Sequence, residues 1–452
     1  MPGSIELRKM RVLVVGLART GVATALFCAK HNAMVTATEM RAESELGEEL
    51  ERLREAGVTL ELGGHSEKTF LAQDLIIPSP GVPADDPLLV LARSKKITVW
   101  SEIELAYRFL EGEMIGITGS NGKTTTTTLV HHILESAGRD AILAGNVGTP
   151  LISRVDAMKA TTWSVVELSS FQLELTDKFR PDIGVFLNLT PDHLDRHKSM
   201  ETYAAAKARI FAKQTELDAA VLNADDAPTV ALAPKKPQVF WFSRQKAVAQ
   251  GACARGEDIV VVHHGKEEFV MKVADIPLPG AHNVENVLAA VTAARLAEVD
   301  AATIGTAVKN FAGVEHRLEF VSEIRGVRYY NDSKATNVDA TLKALDAFPG
   351  GILVILGGKD KGSDYTLLQK PLREKAKLAL LIGAAADKIE GQIKDSVAIE
   401  RAGTLQNAVD IASHAAQPGD LVLLAPACAS FDQFENYEQR GRVFKELVRG
   451  LE

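Results

Sequence analysis

Lys123 follows the last glycine of a run, Gly116-Ile-Thr-Gly-Ser-Asn-Gly-Lys-Thr-Thr-Thr-Thr-Thr128, which follows an apolar stretch and opens a helix-like one. The chemistry such a run supports is phosphate binding. Glycines let successive backbone N–H groups turn inward, the following helix N-terminus adds positive partial charge, Lys123 neutralises the β- and γ-phosphates, and Thr124 can ligate magnesium. Gly119, Ser120, Asn121, Gly122, Lys123, Thr124 and Thr125 are the candidate nucleotide cradle. A strict loop of this kind carries glycine where this chain has Ile117, so the run is a GxxGKT variant, and a plain strand-to-helix turn with an exposed lysine is the alternative. Five consecutive threonines are poor helix formers, which a first turn anchored by phosphate and magnesium tolerates.

Other chemistry-bearing residues stand at the ends of apolar runs. Glu167 closes one of these runs and offers a hard oxygen ligand to magnesium. Thr190-Pro-Asp-His-Leu-Asp-Arg-His197 packs two acids and two histidines into one loop; His193 is a candidate metal ligand, Asp192 a helix cap, and His197 an exposed side chain. Lys207, between alanines on a predicted helix, reads as part of a solvated basic face. Asn283 and Asn286 suit either a helix start or a base edge. Three further loops, Tyr330 to Asn337, Gly357 to Gly362 and Ala427 to Gln433, bring lysines and hydroxyls to successive strand ends, as a site for anionic groups requires.

These residues need a scaffold of strands and helices. Residues 11–15, 34–38, 75–78, 114–118, 161–168, 183–189, 329–330, 351–356, 378–382 and 420–424 are predicted strands, and 22–31, 202–211 and 283–297 predicted helices. Segment 213–280 is strand-rich and less regular. The opening strand–turn–helix has the form of a nucleotide-binding unit, yet Gly16-Leu-Ala-Arg-Thr-Gly21 carries Ala18 where a pyrophosphate fingerprint wants its middle glycine, which disfavours a nicotinamide cofactor. Glu39 ends the second strand where such folds place an acid, and Ser79-Pro-Gly-Val-Pro83 is a turn that could simply punctuate the sheet. At 452 residues, 46% hydrophobic and 24% charged, the chain is an ordinary globular one of about three domains. A formal net charge of -8 gives no general attraction to nucleic acid or anionic membrane. Cys28, Cys253 and Cys428 share no metal-ligand spacing and are expected as buried thiols in a reducing, cytoplasmic setting. No run reaches the length of a membrane helix.

In chain order, ITGSNGKTTT, VVELSSFQLE, TPDHLDRH, AAKARIF, GAHNVENVLAA, EHRLE, YYNDSKATN, GGKDKG and PACASFDQF resemble the motifs of the Mur ligases of bacterial cell-wall synthesis, over nearly the whole chain. The phosphate loop is shared with folate polyglutamate ligases, whereas the NDSKATN and ACASFDQF loops are similar to those of the member that adds D-glutamate. The resemblance implies an α/β fold of three domains: a Rossmann-like UDP-binding domain over 1–101, a P-loop ATPase-like domain over 102–313 and a Rossmann-like domain over 314–452. It implies ATP-dependent joining of D-glutamate to UDP-N-acetylmuramoyl-L-alanine through an acyl phosphate, by a cytoplasmic monomer. Lys123, Lys207 and His193 would be catalytic. Two magnesium ions would be held by Thr124, Glu167, His193 and Lys207, the last as a carbamate, which reverses its charge. ATP would meet the phosphate loop, Asn283, Asn286, Arg317 and Asp332, with His316 nearby. The UDP end would meet Leu17, Ala18, Arg19, Glu39, Arg41, Ser79, Gly81 and Asn146. D-glutamate would meet Lys334, Thr336, Lys361, Ser430 and Tyr437. Some relatives carry a small hydroxyl residue at the positions of Ala18 or Met40, and phenylalanine at that of Tyr437. A related ligase with another acceptor, and a nucleotide-binding switch without coupling chemistry, are the alternatives.

Overall fold

The computed structural model describes residues 5–47 and 49–451, with the backbone alone for Leu194 and Asp195. Short apolar runs buried on both faces form the central strands of its parallel sheets, as expected of strands covered by helices. In the first sheet five parallel strands lie in the order Thr59–Leu62, Met34–Glu39, Arg11–Val15, Leu75–Pro78, Thr98–Val99. The order reverses between Arg11–Val15 and Leu75–Pro78, so a crevice opens where the Gly16 turn meets the Ser79–Gly81 turn.

The second sheet is also parallel, in the order Gln238–Phe242, Ala219–Asn223, Ile183–Phe186, Glu113–Thr118, Trp163–Glu167, Ala141–Gly145. Its three central strands therefore end in the Thr190 loop, the phosphate loop and Glu167, side by side. Strands Gly251–Arg255, Asp258–His263 and Lys266–Lys272 form a separate antiparallel sheet. Helix Glu102–Phe109 is fixed to this region by Glu104, which is fully buried and accepts from the backbone N–H of Asp177, Lys178 and Phe179 at 2.8, 3.0 and 2.9 Å and from Arg108 Nε at 2.7 Å.

The last sheet runs Glu319–Ile324, Val327–Asn331, Leu421–Leu424, Ile352–Gly357, Ala376–Ile382, Ala398–Gly403, with only the first pair antiparallel. Alternation explains how one apolar strand serves two cores. Ile352, Val354 and Leu356 pack with Leu345 and Ile389 on one face, whereas Leu353 and Ile355 pack with Val409 and Phe444 on the other. The chain divides into two compact units: residues up to Asp275 with Glu285–Val308, and Ile276–Val284 with Lys309 onward.

Several boundaries differ from the sequence reading. The strand expected to reach Leu189 ends at Phe186, because Leu187–Thr190 bends across the phosphate loop, where Asn188 O accepts from Ser120 N at 2.9 Å. The strand expected over 161–168 is Trp163–Glu167, and the helix expected from Thr202 runs Met200–Ala208 before a 3-10 turn over Arg209–Phe211. The threonine run does lie in a helix, Lys123–Ser136, with Thr124 to Thr127 buried. Thr127 Oγ1 donates to Lys123 O at 2.8 Å, so burial and back-bonding supply part of the tolerance assigned to ligand anchoring. All three cysteines are buried and free.

Candidate active site

The candidate phosphate loop is shaped by backbone geometry and braced by its neighbour. Gly119 and Gly122 have φ of +152° and +82°, and a Cβ on Gly122 would lie 2.2 Å from Asn286 Oδ1. Glycine is required there both for the left-handed turn and for the close approach. Asn188 Oδ1 accepts from Asn121 N at 2.8 Å, and Ser120 Oγ donates to Thr190 O at 2.9 Å. Lys123 Nζ donates to Gly119 O and Ser120 O, both at 2.9 Å, which folds the ammonium over the loop. Asn286 Oδ1 also accepts from Thr126 Oγ1 at 3.4 Å. Neither asparagine serves as an end cap: Asn283 and Asn286 lie inside helix Ala281–Leu296, both buried, and Asn283 Nδ2 donates to Pro279 O at 2.7 Å.

Lys207 overturns the solvated-face reading. Its side chain is among the most buried in the chain, and Nζ donates to Gly119 O at 2.8 Å, the same carbonyl that Lys123 uses. Its helix packs inward because Tyr203, one turn earlier, is buried and holds Ser120 Oγ at 3.2 Å while its ring lies 4.7 Å from the ammonium. Burial first, and then the charge of Lys123, lower the Lys207 pKa well below the ordinary lysine range. Glu167 is likewise buried rather than solvated. Asn146 Nδ2 donates to its Oε1 at 2.8 Å, whereas Oε2 is buried with no hydrogen-bond partner. A buried carboxylate oxygen left bare beside a phosphate loop suits a hard cation. Among the described residues no group of three or more His, Cys, Asp and Glu is assembled to hold a metal. His193 is exposed, with φ +51°, its ring 5.0 Å from that of Phe171. His197, expected at the surface, is buried and shares a hydrogen bond of 2.9 Å with Ser170 Oγ.

At the crevice of the first sheet, Glu39 is buried and turned back onto the glycine turn. Its Oε2 accepts from Leu17 N and from Arg41, each at 2.9 Å, and Arg41 first, with the backbone donors, lowers its pKa to about 2. Ser79 Oγ donates to Gly16 O at 2.9 Å, and a Cβ on Gly21 would collide with that same carbonyl, so the third glycine of the fingerprint keeps its packing role although Ala18 replaces the second. Ala18 and Arg19 are exposed, and Arg19 donates to Gly148 O at 2.8 Å, near Asn146. A cavity of about 840 Å³ runs from Leu17 and Arg19 along helix Arg19–Lys30 to Thr149–Ala157; Glu39, Arg41 and Ser79 do not line it.

The three polar loops of the last sheet converge. Ala427 N donates to Ala335 O at 2.9 Å, and Lys359 and Ala429 exchange backbone hydrogen bonds of 2.8 and 3.1 Å. Ser430 is buried, Lys334 Nζ lies 5.8 Å from the centre of the Tyr437 ring, and Lys361 is exposed. Asp332 is buried, and desolvation raises its pKa to about 7 in spite of Arg317. His316, also buried, has φ +63° and shares its Nδ1 with Asn331 Nδ2 at 2.9 Å. The motif reading passed over Asn188, Tyr203 and Arg440. Arg440 is buried and donates to Ser333 O at 2.8 Å and Cys428 O at 3.3 Å, tying the first of the three loops to the third. Its only sequence signal is an arginine on the apolar face of the final helix.

Three family models match the chain in turn. Residues 10–101 match the Mur ligase MurD-like N-terminal domain, 117–294 the Mur ligase middle domain, and 316–428 the Mur ligase glutamate ligase domain. The UDP-N-acetylmuramoylalanine–D-glutamate ligase of Acidobacterium capsulatum is 54% identical over 98% of this chain and 97% of its own length. The chain belongs to the Mur ligase family. As a Mur ligase it is an ATP-dependent ligase of peptidoglycan synthesis. Ligases of the same name from Koribacter versatilis and Geotalea daltonii are 54% and 46% identical, each over 99% of both chains. Among solved Mur ligases, MurC and MurF of Thermotoga maritima superpose with TM-scores of 0.59 and 0.60 at 20% and 15% identity, covering 98% and 100% of this chain and 100% and 97% of theirs. At that identity they support the three-domain α/β fold. No helix among the described residues is long and apolar enough to cross a membrane.

Proposed function

We propose that this Mur ligase joins D-glutamate to UDP-N-acetylmuramoyl-L-alanine in the cytoplasm, as a monomer of domains 1–101, 102–313 and 314–452. The observation that carries the reaction chemistry is the buried Lys207 amine, hydrogen-bonded to the phosphate-loop carbonyl that Lys123 also holds. A lysine with a depressed pKa is the form that adds carbon dioxide, losing one proton and becoming a carbamate anion. We assign metal binding to Thr124, Glu167, His193 and carbamylated Lys207; two magnesium ions bound there would neutralise phosphate charge. ATP is assigned to Gly119–Thr125, Asn283, Asn286, Arg317 and Asp332. The UDP end is assigned to Leu17, Ala18, Arg19, Glu39, Arg41, Ser79, Gly81 and Asn146, and D-glutamate to Lys334, Thr336, Lys361, Ser430 and Tyr437.

In the reaction so assigned, the substrate carboxylate attacks the γ-phosphorus, and the bond to the β,γ-bridging oxygen breaks to release ADP. The D-glutamate amine then attacks the acyl phosphate carbon, giving up a proton as phosphate leaves. Two like charges at 4 Å repel by about 4 kcal/mol at an effective dielectric of 20, and the Lys123 ammonium lowers that barrier to the first step. Ser430 and Lys334 orient the amino acid by charge-assisted hydrogen bonds. The test is phosphate release with ATP, UDP-N-acetylmuramoyl-L-alanine and single candidate amino acids. Release that requires D-glutamate is expected. Equal release with L-glutamate, lysine or diaminopimelate, or with a folate acceptor, would move the chain to another ligase, and ATP binding without release would make it a switch.

A further inference from the structure

Arg196 lies in the loop that carries His193, yet its guanidinium is spent on the first sheet. Nη1 donates to Pro80 O at 2.9 Å and Gly81 O at 3.3 Å, and Nη2 donates to Val82 O at 2.9 Å. The cation is mostly buried, with Cζ 4.0 Å above the Phe171 ring and Glu174 at 3.4 Å from Nη2. Three carbonyls of one four-residue turn therefore face a single cation. That turn is closed by Val82 N donating to Ser79 O at 2.9 Å and is pinned to the glycine turn by Ser79 Oγ on Gly16 O. Pro80 has no N–H, and Ser79 N and Val82 N are bonded to Val15 O and Ser79 O, which leaves the Gly81 N–H as the donor of the turn with no backbone acceptor among the described residues. It lies at the strand-order reversal, where an open α/β sheet takes ligands.

We propose that Arg196 is a positioning residue for the nucleotide-sugar substrate: it sets the Ser79–Val82 turn so that its N–H side faces an anionic group at the crevice, and so makes the His193 loop part of the substrate site. This rests on assigning the UDP end to that crevice. The planar fork is essential, since an ammonium cannot reach three carbonyls in one plane while stacking on Phe171. Sequence shows none of this, because the arginine is 114 positions from its carbonyl partner Val82.

The test uses the full chain with Arg196→Lys and Arg196→Ala. Calorimetric binding of UDP-N-acetylmuramoyl-L-alanine and the KM for each of the three substrates are measured. Loss of charge-assisted hydrogen bonds predicts a rise in Kd and KM for the nucleotide sugar of roughly ten- to a hundredfold in both variants, with KM for ATP and D-glutamate within about twofold. Methylguanidinium should partly restore nucleotide-sugar binding to the alanine variant and not to the lysine variant. Unchanged nucleotide-sugar binding in both variants, or a uniform rise in all three KM values without rescue, overturns the proposal while leaving the crevice assignment standing. Failure of the wild-type chain to bind the nucleotide sugar, or binding that a substitution of Gly16–Arg19 leaves unaltered, overturns the assignment and the proposal with it.

Discussion

A lysine in water holds its proton far above neutral pH, but Lys207 is walled from water by Tyr203 and the phosphate loop and shares a carbonyl with a second lysine. Both influences favour the neutral amine, and a neutral amine can be converted to an anion in a way that no arginine can. Lys207→Arg is therefore expected to be nearly inactive, and Lys207→Ala impaired but partly rescued by acetate or formate, which refill the anionic position. Steady-state rates with and without added carboxylate decide this, and full activity of the arginine variant would return Lys207 to a structural role. Lys123 differs in that its task needs the positive charge. Lys123→Ala should lower kcat by a hundredfold or more, roughly 3 kcal/mol of transition-state stabilisation, with the thermal midpoint nearly unchanged. Near-normal turnover in the folded variant would remove the phosphate-loop assignment.

The strand-to-helix junction at Gly122 turns those side chains into a site, and it has no room for a methyl group. Gly122→Ala places a Cβ against Asn286 Oδ1 in a left-handed backbone conformation, so nucleotide binding should weaken by tenfold or more while the far-ultraviolet spectrum is retained. Unaltered ATP affinity by calorimetry would contradict the tight contact. Helix Glu102–Phe109 depends on Glu104 in the same local way. Glu104→Ala leaves three backbone N–H groups and Arg108 Nε without their acceptor, Arg108 keeping only Asp177 at 2.9 Å, and should cost about 3 kcal/mol in denaturant unfolding. A loss under 1 kcal/mol would show that water replaces the carboxylate. The elements and their motifs were legible because apolar runs and glycine turns are local signals: Arg11–Val15, the phosphate loop and Leu75–Pro78 lie where period and punctuation place them. Lys207 and His197 read as exposed because Lys207 is flanked in sequence by Ala206, Ala208 and Arg209, and because the buried partners Gly119 and Ser170 are distant in sequence. Arg440 was invisible for a related reason, its carbonyl partners leaving no complementary acid to find, and Arg196 because its acid, Glu174, and its carbonyl partners are all distant in sequence.

Across the whole chain, two buried carboxyls set a pH dependence of one sign. Burial raises Asp332 and Glu102 each to about 7, above their ordinary values near 4. Their neutral forms favour the fold, so the stability they contribute is complete below about pH 4 and is lost as pH rises through about 7. The nucleotide-free protein should accordingly show a falling thermal midpoint between pH 5 and 8. In the Asp332→Asn, Glu102→Gln variant that fall should be reduced by several degrees in calorimetry; an identical slope would mean that neither group titrates there. Glu39 acts oppositely, its contribution being lost only as pH drops from the ordinary carboxylate range toward about 2. The division of the chain into compact units bears on a different matter, the order in which the ribosome delivers it. Ile276–Val284 belongs with the last sheet but is made before Glu285–Val308, which completes the earlier unit. The segment's last four residues open helix Ala281–Leu296 with the residues made next, but its partners in the second unit come only with the chain after Lys309. A piece beginning at residue 314 would lack it altogether, so shortened genes that start there are expected to give less soluble product than ones that also encode 276–284, which comparison of the soluble fractions checks.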